Sequence, residues 1–203
     1  MLQKEVPPMS ILLTGFEPFG GASVNPSWEA VCRVPDQIAG REVQRLCLPV
    51  VFGEAANLLR EAIARLRPEL VICCGVAGDR KAVTPELVAL NYRYARIPDN
   101  AGNQYFGAPI DPDGPAARMT RLPIHALIDA VKAEGIPCAL SLSAGAYVCN
   151  DVYYALLSCE ADFVHRGLFI HVPSADVVCV EDMARAITLC AEHALKGADH
   201  AER

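Results

Sequence analysis

The chain has 203 residues, of which 52% are hydrophobic and 21% charged, and this balance excludes a disordered or collagen-like chain. Its 24 acidic and 18 basic residues give a net charge of −6, which argues against a nucleic-acid partner because phosphate binding needs clustered Lys and Arg. An apolar run of about 18 residues is absent, so no membrane partner is expected. We predict a single domain over residues 1–203, since domains reach about 250 residues before they split.

Short apolar runs alternate along the chain with segments of helical periodicity, a pattern typical of α/β layered folds. The first run is predicted to be a buried strand that ends at Gly15. Asn25 and Pro26 suit the N-cap and the first residue of a helix. Strands are predicted at residues 10–14, 43–51, 70–74, 138–142 and 168–171. Further helices are predicted at 54–66, 123–134, 147–157 and 181–195. Gly197 ends the last helix, and a frayed tail is expected at 199–203.

Residues 76–122 differ from the rest of the chain because they are dense in Gly, Pro, Asp and Asn. Only residues 88–91 within them resemble a strand. Long irregular stretches in compact domains are usually functional or disordered, and this one lies between good core elements. We expect it to contribute to the functional site, although the sequence leaves open whether residues 97–122 are ordered.

The cysteines indicate a reducing compartment. There are nine, an odd number, at scattered positions without a Cys-x-x-Cys pair and without a nearby His at zinc-ligand spacing. The N-terminus carries Glu5 and two prolines where a secretory signal needs a continuous apolar stretch. We therefore predict a cytoplasmic protein without a metal, in which most cysteines are small buried hydrophobic residues.

Cys149 is the one cysteine with a local reason to be reactive. It follows the predicted strand 138–142 through small residues and falls in the first turn of the next predicted helix. A helix N-terminus stabilises anions, so a thiol there should ionise more readily, and nearby backbone N–H groups could hold an oxyanion. The alternative is a buried cysteine that fills a gap beside Val148 and Val152.

His171 is the best candidate partner for this thiol. It ends a short apolar strand, and open α/β sheets place their sites at the carboxyl ends of strands. A neutral imidazole there could accept the thiol proton and return it to a leaving amine. The alternative is a buried structural histidine. The other four histidines do not follow a strand: His125, His165, His193 and His200.

A carboxylate that orients the imidazole is also expected, but spacing along the chain does not choose among the acids. Glu86 precedes an apolar run inside the irregular stretch. Asp79, Asp99 and Asp151 are alternatives.

The loop after the first strand carries Phe16 and Phe19 in the run TGFEPFGG. Its glycines are not spaced as G-x-G-x-x-G, and the two rings would obstruct a dinucleotide pyrophosphate. They suit the wall of a small apolar pocket, or they anchor the loop to the core.

Five ordered motifs now give the chain a resemblance to a known family. They are LLTGFEPFGG with VNPSWEAV, VTPELVALN, ARIPDNAGNQ, SLSAGAYVCN and GLFIHVP, and the match that they anchor runs from about residue 12 to residue 195. The chain resembles the pyroglutamyl peptidase type I (pyrrolidone-carboxylate peptidase) family of cysteine peptidases. Members adopt an α/β/α fold in three layers around a central twisted, mostly parallel sheet, and they often assemble as dimers or tetramers.

The resemblance implies removal of an N-terminal 5-oxoproline (pyroglutamyl) residue from peptides, without a cofactor or metal. It places the nucleophile on Cys149, the histidine on His171 and the acid on Glu86, with a thioester intermediate and an active-site arginine at Arg96. The resemblance also implies peptides with N-terminal pyroglutamate as partners, and a homodimer or homotetramer. The implied substrate pocket is formed by Phe16, Phe19, Ile97, Tyr147 and Val148.

Two positions depart from the pattern of the family. Val76 stands where relatives often have Gln, and Leu87 follows the acid where Arg is common. The first departure puts a substrate contact in doubt but not the type of reaction. Two alternative functions remain: a related cysteine amidohydrolase that acts on another small lactam or acyl amide, and a non-catalytic binding module.

Overall fold

The computed structural model describes residues 10–159 and 166–196. Its centre is a six-stranded sheet. The strands of this sheet are β1 (Ser10–Phe16), β2 (Gln37–Ile38), β3 (Arg41–Leu48), β4 (Leu70–Val76), β5 (Thr84–Pro85) and β10 (Gly167–Val172). Their order is β2-β3-β1-β4-β10-β5, in which β3, β1, β4 and β10 are parallel and the edge strands β2 and β5 are antiparallel to their neighbours.

Helices cover both faces of the sheet and confirm the predicted three-layer α/β/α class. One face packs against α1 (Pro26–Arg33), α3 (Ile124–Ala133) and α5 (Val180–Lys196). The other face packs against α2 (Glu54–Leu66) and α4 (Val148–Ser158). Strand β1 serves both cores, since Ile11 and Leu13 point to the first layer and Leu12 to the second. Burial on both faces explains why the central strands are continuous apolar runs.

Residues 88–119 form two small antiparallel two-stranded sheets beside the central sheet. Strand β6 (Val88–Leu90) pairs with β9 (Ala117–Met119), and β7 (Arg93–Tyr94) pairs with β8 (Phe106–Ala108). The Asn91 side chain joins them, because its oxygen accepts from the N–H groups of Ile110 and Asp111 and its nitrogen donates to the carbonyls of Asp111 and Gly114. A single partly buried amide therefore organises much of the stretch to which no elements were assigned from the sequence.

The predicted strand at 138–142 is wrong, because it forms only two isolated bridges, Val83 to Cys138 and Glu86 to Ser141. The backbone bonds follow a parallel ladder, with Ala139 N–H donating to Val83 and Ser141 N–H donating to Pro85. Pro85 has no N–H to return, and this gap interrupts the ladder. For a similar reason the predicted strand 43–51 ends at Leu48, just before Pro49.

The other predicted boundaries agree with the structure to within about two residues, which is the usual uncertainty at element ends. Asn25 is the N-cap of α1 and accepts from Ser27 N–H at 3.0 Å, and Pro26 is the first helical residue. Gly197, residues 199–203, His165 and His200 lie outside the described residues. Within the described ranges, no helix combines the length and apolar character needed to cross a bilayer.

Candidate active site

Helix α4 begins directly above the carboxyl end of strand β4, and Gly75 makes this contact possible. A Cβ atom added at Gly75 would lie 2.8 Å from Cys149 Sγ and 3.0 Å from Phe169 Cζ, so nothing larger than glycine fits without displacing the sulfur. The sheet partner of Gly75 on β10 is His171. Because Gly75 has no side chain, the Cys149 thiol can lie over β4, next to the strand β10 that carries His171.

His171 is paired with a buried carboxylate. Its Nδ1 lies 2.7 Å from Glu86 Oε1, and Glu86 is fully buried. The backbone of Glu86 is fixed from two sides, since its N–H donates to Phe169 O at 2.9 Å and its carbonyl accepts from the Tyr153 hydroxyl at 2.8 Å. In the neutral imidazole Nδ1–H donates to the carboxylate, which leaves Nε2 as an acceptor.

The environment favours an ionised carboxylate beside a neutral imidazole. Burial opposes ionisation of Glu86, but the hydrogen bond and charge of His171, the Ser141 hydroxyl and the charge of Arg80 outweigh it and lower the pKa of Glu86. Burial also disfavours the charged form of His171 and therefore lowers its pKa, although the hydrogen bond and charge of Glu86 act in the opposite direction. The imidazole is therefore able to act as a proton acceptor at neutral pH.

Burial of the sulfur raises the pKa of the Cys149 thiol to about 12, and the Glu86 carboxylate adds to this effect. Its own backbone N–H and the charge of Arg80 act in the opposite direction but are weaker. The predicted acidic thiol is therefore wrong for this environment, because burial outweighs the helix end. At neutral pH the environment therefore favours the neutral thiol of Cys149 and the neutral imidazole of His171.

Four of the predicted pocket residues line one small apolar pocket beside the thiol: Phe16, Phe19, Tyr147 and Val148. Asn25, Val50 and Val76 also line this pocket. None of the three was predicted as a pocket residue, and Val76 was noted only as a departure from the family pattern. Val50 and Val76 lie at or just beyond the carboxyl ends of β3 and β4, so the strand-end rule that selected His171 could have found them.

Ile97 and Arg96 do not line that pocket. They line a neighbouring depression together with Tyr94, and both are exposed. The depression shares Phe19 and Tyr147 with the pocket beside the thiol, so the two cavities are adjacent. The structure thus places the predicted arginine at the mouth of the site and away from the carboxylate.

The other three candidate acids are placed elsewhere. Asp99 accepts the N–H groups of Phe52, Ala101 and Asn103 and shapes its own loop. Asp151 pairs with Arg93, and Asp79 is exposed. Of the four carboxylates considered, Glu86 is the one hydrogen-bonded to the imidazole. Among the described residues, no group of three or more His, Cys, Asp or Glu side chains is arranged to hold a metal ion.

A thiol at a helix N-terminus, above a strand next to a buried imidazole–carboxylate pair, defines the class of cysteine-type hydrolases. Comparison with known proteins specifies the family. The family model for pyroglutamyl peptidase matches residues 9–202, and the chain belongs to that family of peptidases.

Curated relatives and solved structures agree with this assignment. The pyrrolidone-carboxylate peptidase of Bacillus amyloliquefaciens is 45% identical over 88% of this chain and 85% of its own, and that of Streptomyces coelicolor is 49% identical over 81% and 78%. The crystal structure of the Bacillus amyloliquefaciens enzyme has a TM-score of 0.86 at 40% identity, covering 93% of this chain and 97% of that one. The Thermococcus litoralis pyrrolidone carboxyl peptidase structure gives a TM-score of 0.90 at 34% identity, with 96% of each chain covered.

Proposed function

We propose that this protein hydrolyses the bond after an N-terminal pyroglutamyl residue of a peptide, with Cys149, His171 and Glu86 as nucleophile, base and orienting acid. The observation that carries the proposal is the position of Cys149 Sγ over Gly75, the sheet partner of His171, beside the mouth of an apolar pocket. Membership of the pyroglutamyl peptidase family supports the choice of substrate.

The pocket suits a neutral ring. A pyroglutamyl residue has no free α-amine and carries no charge at its N-terminal end, so an apolar wall does not have to desolvate an ion. Phe16, Phe19, Tyr147 and Val148 supply this wall. Asn25, which is 4% exposed, is a polar group at the pocket. We propose that the N–H and C=O groups of the lactam form hydrogen bonds with the backbone.

In the first step the Cys149 sulfur attacks the carbonyl carbon that links the ring to the next residue. The S–H proton passes to Nε2 of His171, and the carbonyl electron pair moves to its oxygen. Backbone N–H groups at the start of α4, including that of Cys149, hold the oxyanion. Glu86 stabilises the imidazolium through Nδ1–H. Arg96 and Ile97 lie at the adjacent depression, where we propose that they support the mouth of the site and contact the substrate.

In the second step the oxyanion re-forms the carbonyl and the C–N bond breaks. The proton on His171 goes to the departing amine, and a thioester remains on Cys149. A water molecule then loses a proton to His171 and attacks the thioester carbonyl. The C–S bond breaks, 5-oxoproline is released as the free acid, and His171 returns its proton to the departing sulfur, which restores the thiol. Each proton gained by the imidazole is returned within one cycle.

The experiment compares release of a chromophore from pyroglutamyl, prolyl and alanyl anilides. The wild-type protein should cleave the pyroglutamyl substrate and lose this activity after thiol alkylation. Cys149→Ala should lower kcat by several orders of magnitude, as loss of a nucleophile generally does. Cys179→Ala removes an exposed thiol and is the matched control. Equal rates on the three anilides would favour the related amidohydrolase, and wild-type activity in Cys149→Ala would exclude this nucleophile.

We also propose a single-domain, cytoplasmic protein that forms a homodimer or homotetramer. All nine cysteines are free thiols, which suits a reducing compartment. Phe106 is 74% exposed and its ring contacts Tyr94, itself 45% exposed, so the β7–β8 hairpin presents apolar surface that a second copy could bury. Sedimentation equilibrium tests the assembly, and a monomer at all concentrations would contradict it.

A further inference from the structure

The loop after strand β4 contains an arginine that contacts both sides of His171 through intermediaries. Arg80 Nη1 donates to Glu86 Oε1 at 2.6 Å, the oxygen that also faces His171 Nδ1. The same Nη1 donates to the Thr84 hydroxyl, which in turn donates to the His171 carbonyl at 3.2 Å. Arg80, Glu86, His171 and Thr84 therefore form a closed ring of hydrogen bonds.

The donors and acceptors of this ring are matched. The guanidinium only donates, the carboxylate only accepts, and the Thr84 hydroxyl accepts once and donates once. The loop itself is anchored at the end of β10, since Ala77 N–H donates to Val172 O at 2.9 Å and Arg80 N–H to Ala77 O at 3.0 Å. Thr84 is the antiparallel partner of His171 in the sheet. The ring thus fixes the histidine at its side chain and at its backbone.

We propose that Arg80 is a positioning residue of the site, which holds His171 from two sides through the Glu86 carboxylate and the Thr84 hydroxyl. This inference rests on the proposed function. Arg80 is separate from Arg96, the arginine that the family resemblance indicated, which lines the neighbouring depression. The charge of Arg80 also opposes protonation of Glu86 and of the imidazole, since a positive charge disfavours a second one nearby.

The proposal predicts a change in the pH profile. The groups that face His171 and Glu86 are Asp79 and Arg80 from the loop, Ser141 from the segment beside β5, and Cys149 and Tyr153 from α4. Removing the positive charge makes both the carboxylate and the imidazole easier to protonate. The acid limb of kcat/KM should therefore move to higher pH, by about one unit.

The test uses Arg80→Met and Arg80→Lys, with Lys81→Met as the matched control. Lys81 is exposed, lies in the same loop and carries the same charge outside the ring. We expect Arg80→Met to shift the acid limb upward and to lower kcat/KM at its optimum about 10²-fold, as small misplacements of a site do. Arg80→Lys should keep the wild-type limb, and Lys81→Met should keep the limb and the rate.

An unshifted limb in Arg80→Met would overturn the proposal, even if the rate falls, because a purely structural role does not move a pKa. If Arg80→Met fails to fold, Arg80→Gln replaces it. If that variant also fails, Arg80→Lys decides, since a shifted limb with the charge retained would contradict the proposal. Titration of the His171 imidazole by ¹⁵N NMR gives the same answer without substrate. A wild-type protein inactive on pyroglutamyl substrates would end the proposed function, while the NMR shift would still test the role of Arg80.

Discussion

At the scale of single residues, Gly75 allows the close contact between the Cys149 sulfur and the sheet. Gly75→Ala would put a methyl group 2.8 Å from Cys149 Sγ, so we expect the sulfur to shift and kcat/KM to fall about 10²-fold. Overpacking should also lower the free energy of unfolding by about 1–3 kcal/mol. Steady-state kinetics and urea denaturation check both effects.

Gly78→Ala is the matched control, because a Cβ atom there meets nothing within 4 Å. It should change neither the activity nor the stability appreciably. Wild-type activity in Gly75→Ala would show that the sulfur does not depend on this close approach.

The buried His171 makes stability depend on pH. Its pKa is lower in the folded protein than the ordinary value of 6.5, so the unfolded chain binds a proton more readily. The free energy of unfolding is therefore unaffected by this group above about pH 6.5 and falls as the pH drops below that value. The pKa of Glu86, lowered from 4.5, adds a further loss below about pH 4.5.

Urea denaturation at a series of pH values measures this dependence. His171→Asn should reduce the slope between about pH 6.5 and 5 relative to the wild type. An equal slope in His171→Asn and wild type would mean that this histidine is not the group responsible.

Sequence reasoning found the thiol and the imidazole but not the residues that join them. His171 lies near the carboxyl end of β10, where the rule for parallel sheets places it. Cys149 was found as a residue of the first turn of a predicted helix, although the strand predicted before it does not form. Glu86 could not be chosen by spacing over Asp79, Asp99 and Asp151, because its contact with His171 depends on an edge strand of two residues. Only the resemblance to a family singled it out.

At the scale of elements, the N-terminal end of α4 is held by a buried ion pair. Asp151 is fully buried, and its Oδ1 accepts from Arg93 Nε at 2.7 Å and Nη2 at 2.6 Å. Its Oδ2 accepts from Gly53 N–H at 2.8 Å, at the start of α2. One carboxylate two residues after Cys149 thus joins α4 to α2 and to strand β7.

Asp151→Asn should lower the free energy of unfolding by about 2 kcal/mol. Removing one partner of a buried pair usually costs about 3–5 kcal/mol, and the 18% exposure of Arg93 reduces this. Chemical denaturation measures the change. Glu29→Gln breaks an exposed i,i+4 pair with Arg33 and should leave stability unchanged. Equal stabilities of Asp151→Asn and wild type would show that the pair does not hold the helix.

The elements themselves differ in how well the sequence predicts them. Helix 54–66 agrees with α2 to the residue because its apolar face repeats at helical spacing. The segment 138–142 has the composition of a strand, yet its pairing fails at Pro85, more than fifty residues earlier in the chain. Local patterns carry no information about such a partner, so the error arises from tertiary pairing.

At the scale of the whole molecule, the fold class follows from alternating apolar runs and helical segments, since parallel strands need crossover helices on both faces. The two small sheets within residues 88–119 do not follow, because one partly buried side chain, Asn91, joins segments about twenty residues apart. The pocket is likewise a product of assembly, formed by residues from the ends of β1, β3 and β4 and the start of α4.

We propose above all that Cys149 becomes covalently acylated by the pyroglutamyl group, and mass spectrometry of the intact protein and of its peptides after acid quench tests this most directly. During turnover of a pyroglutamyl anilide, the wild-type protein should gain the mass of one pyroglutamoyl group on the peptide that contains Cys149, and Cys149→Ala should gain none. An adduct on another cysteine of the wild-type protein would contradict this proposal, and so would turnover of the anilide by Cys149→Ala.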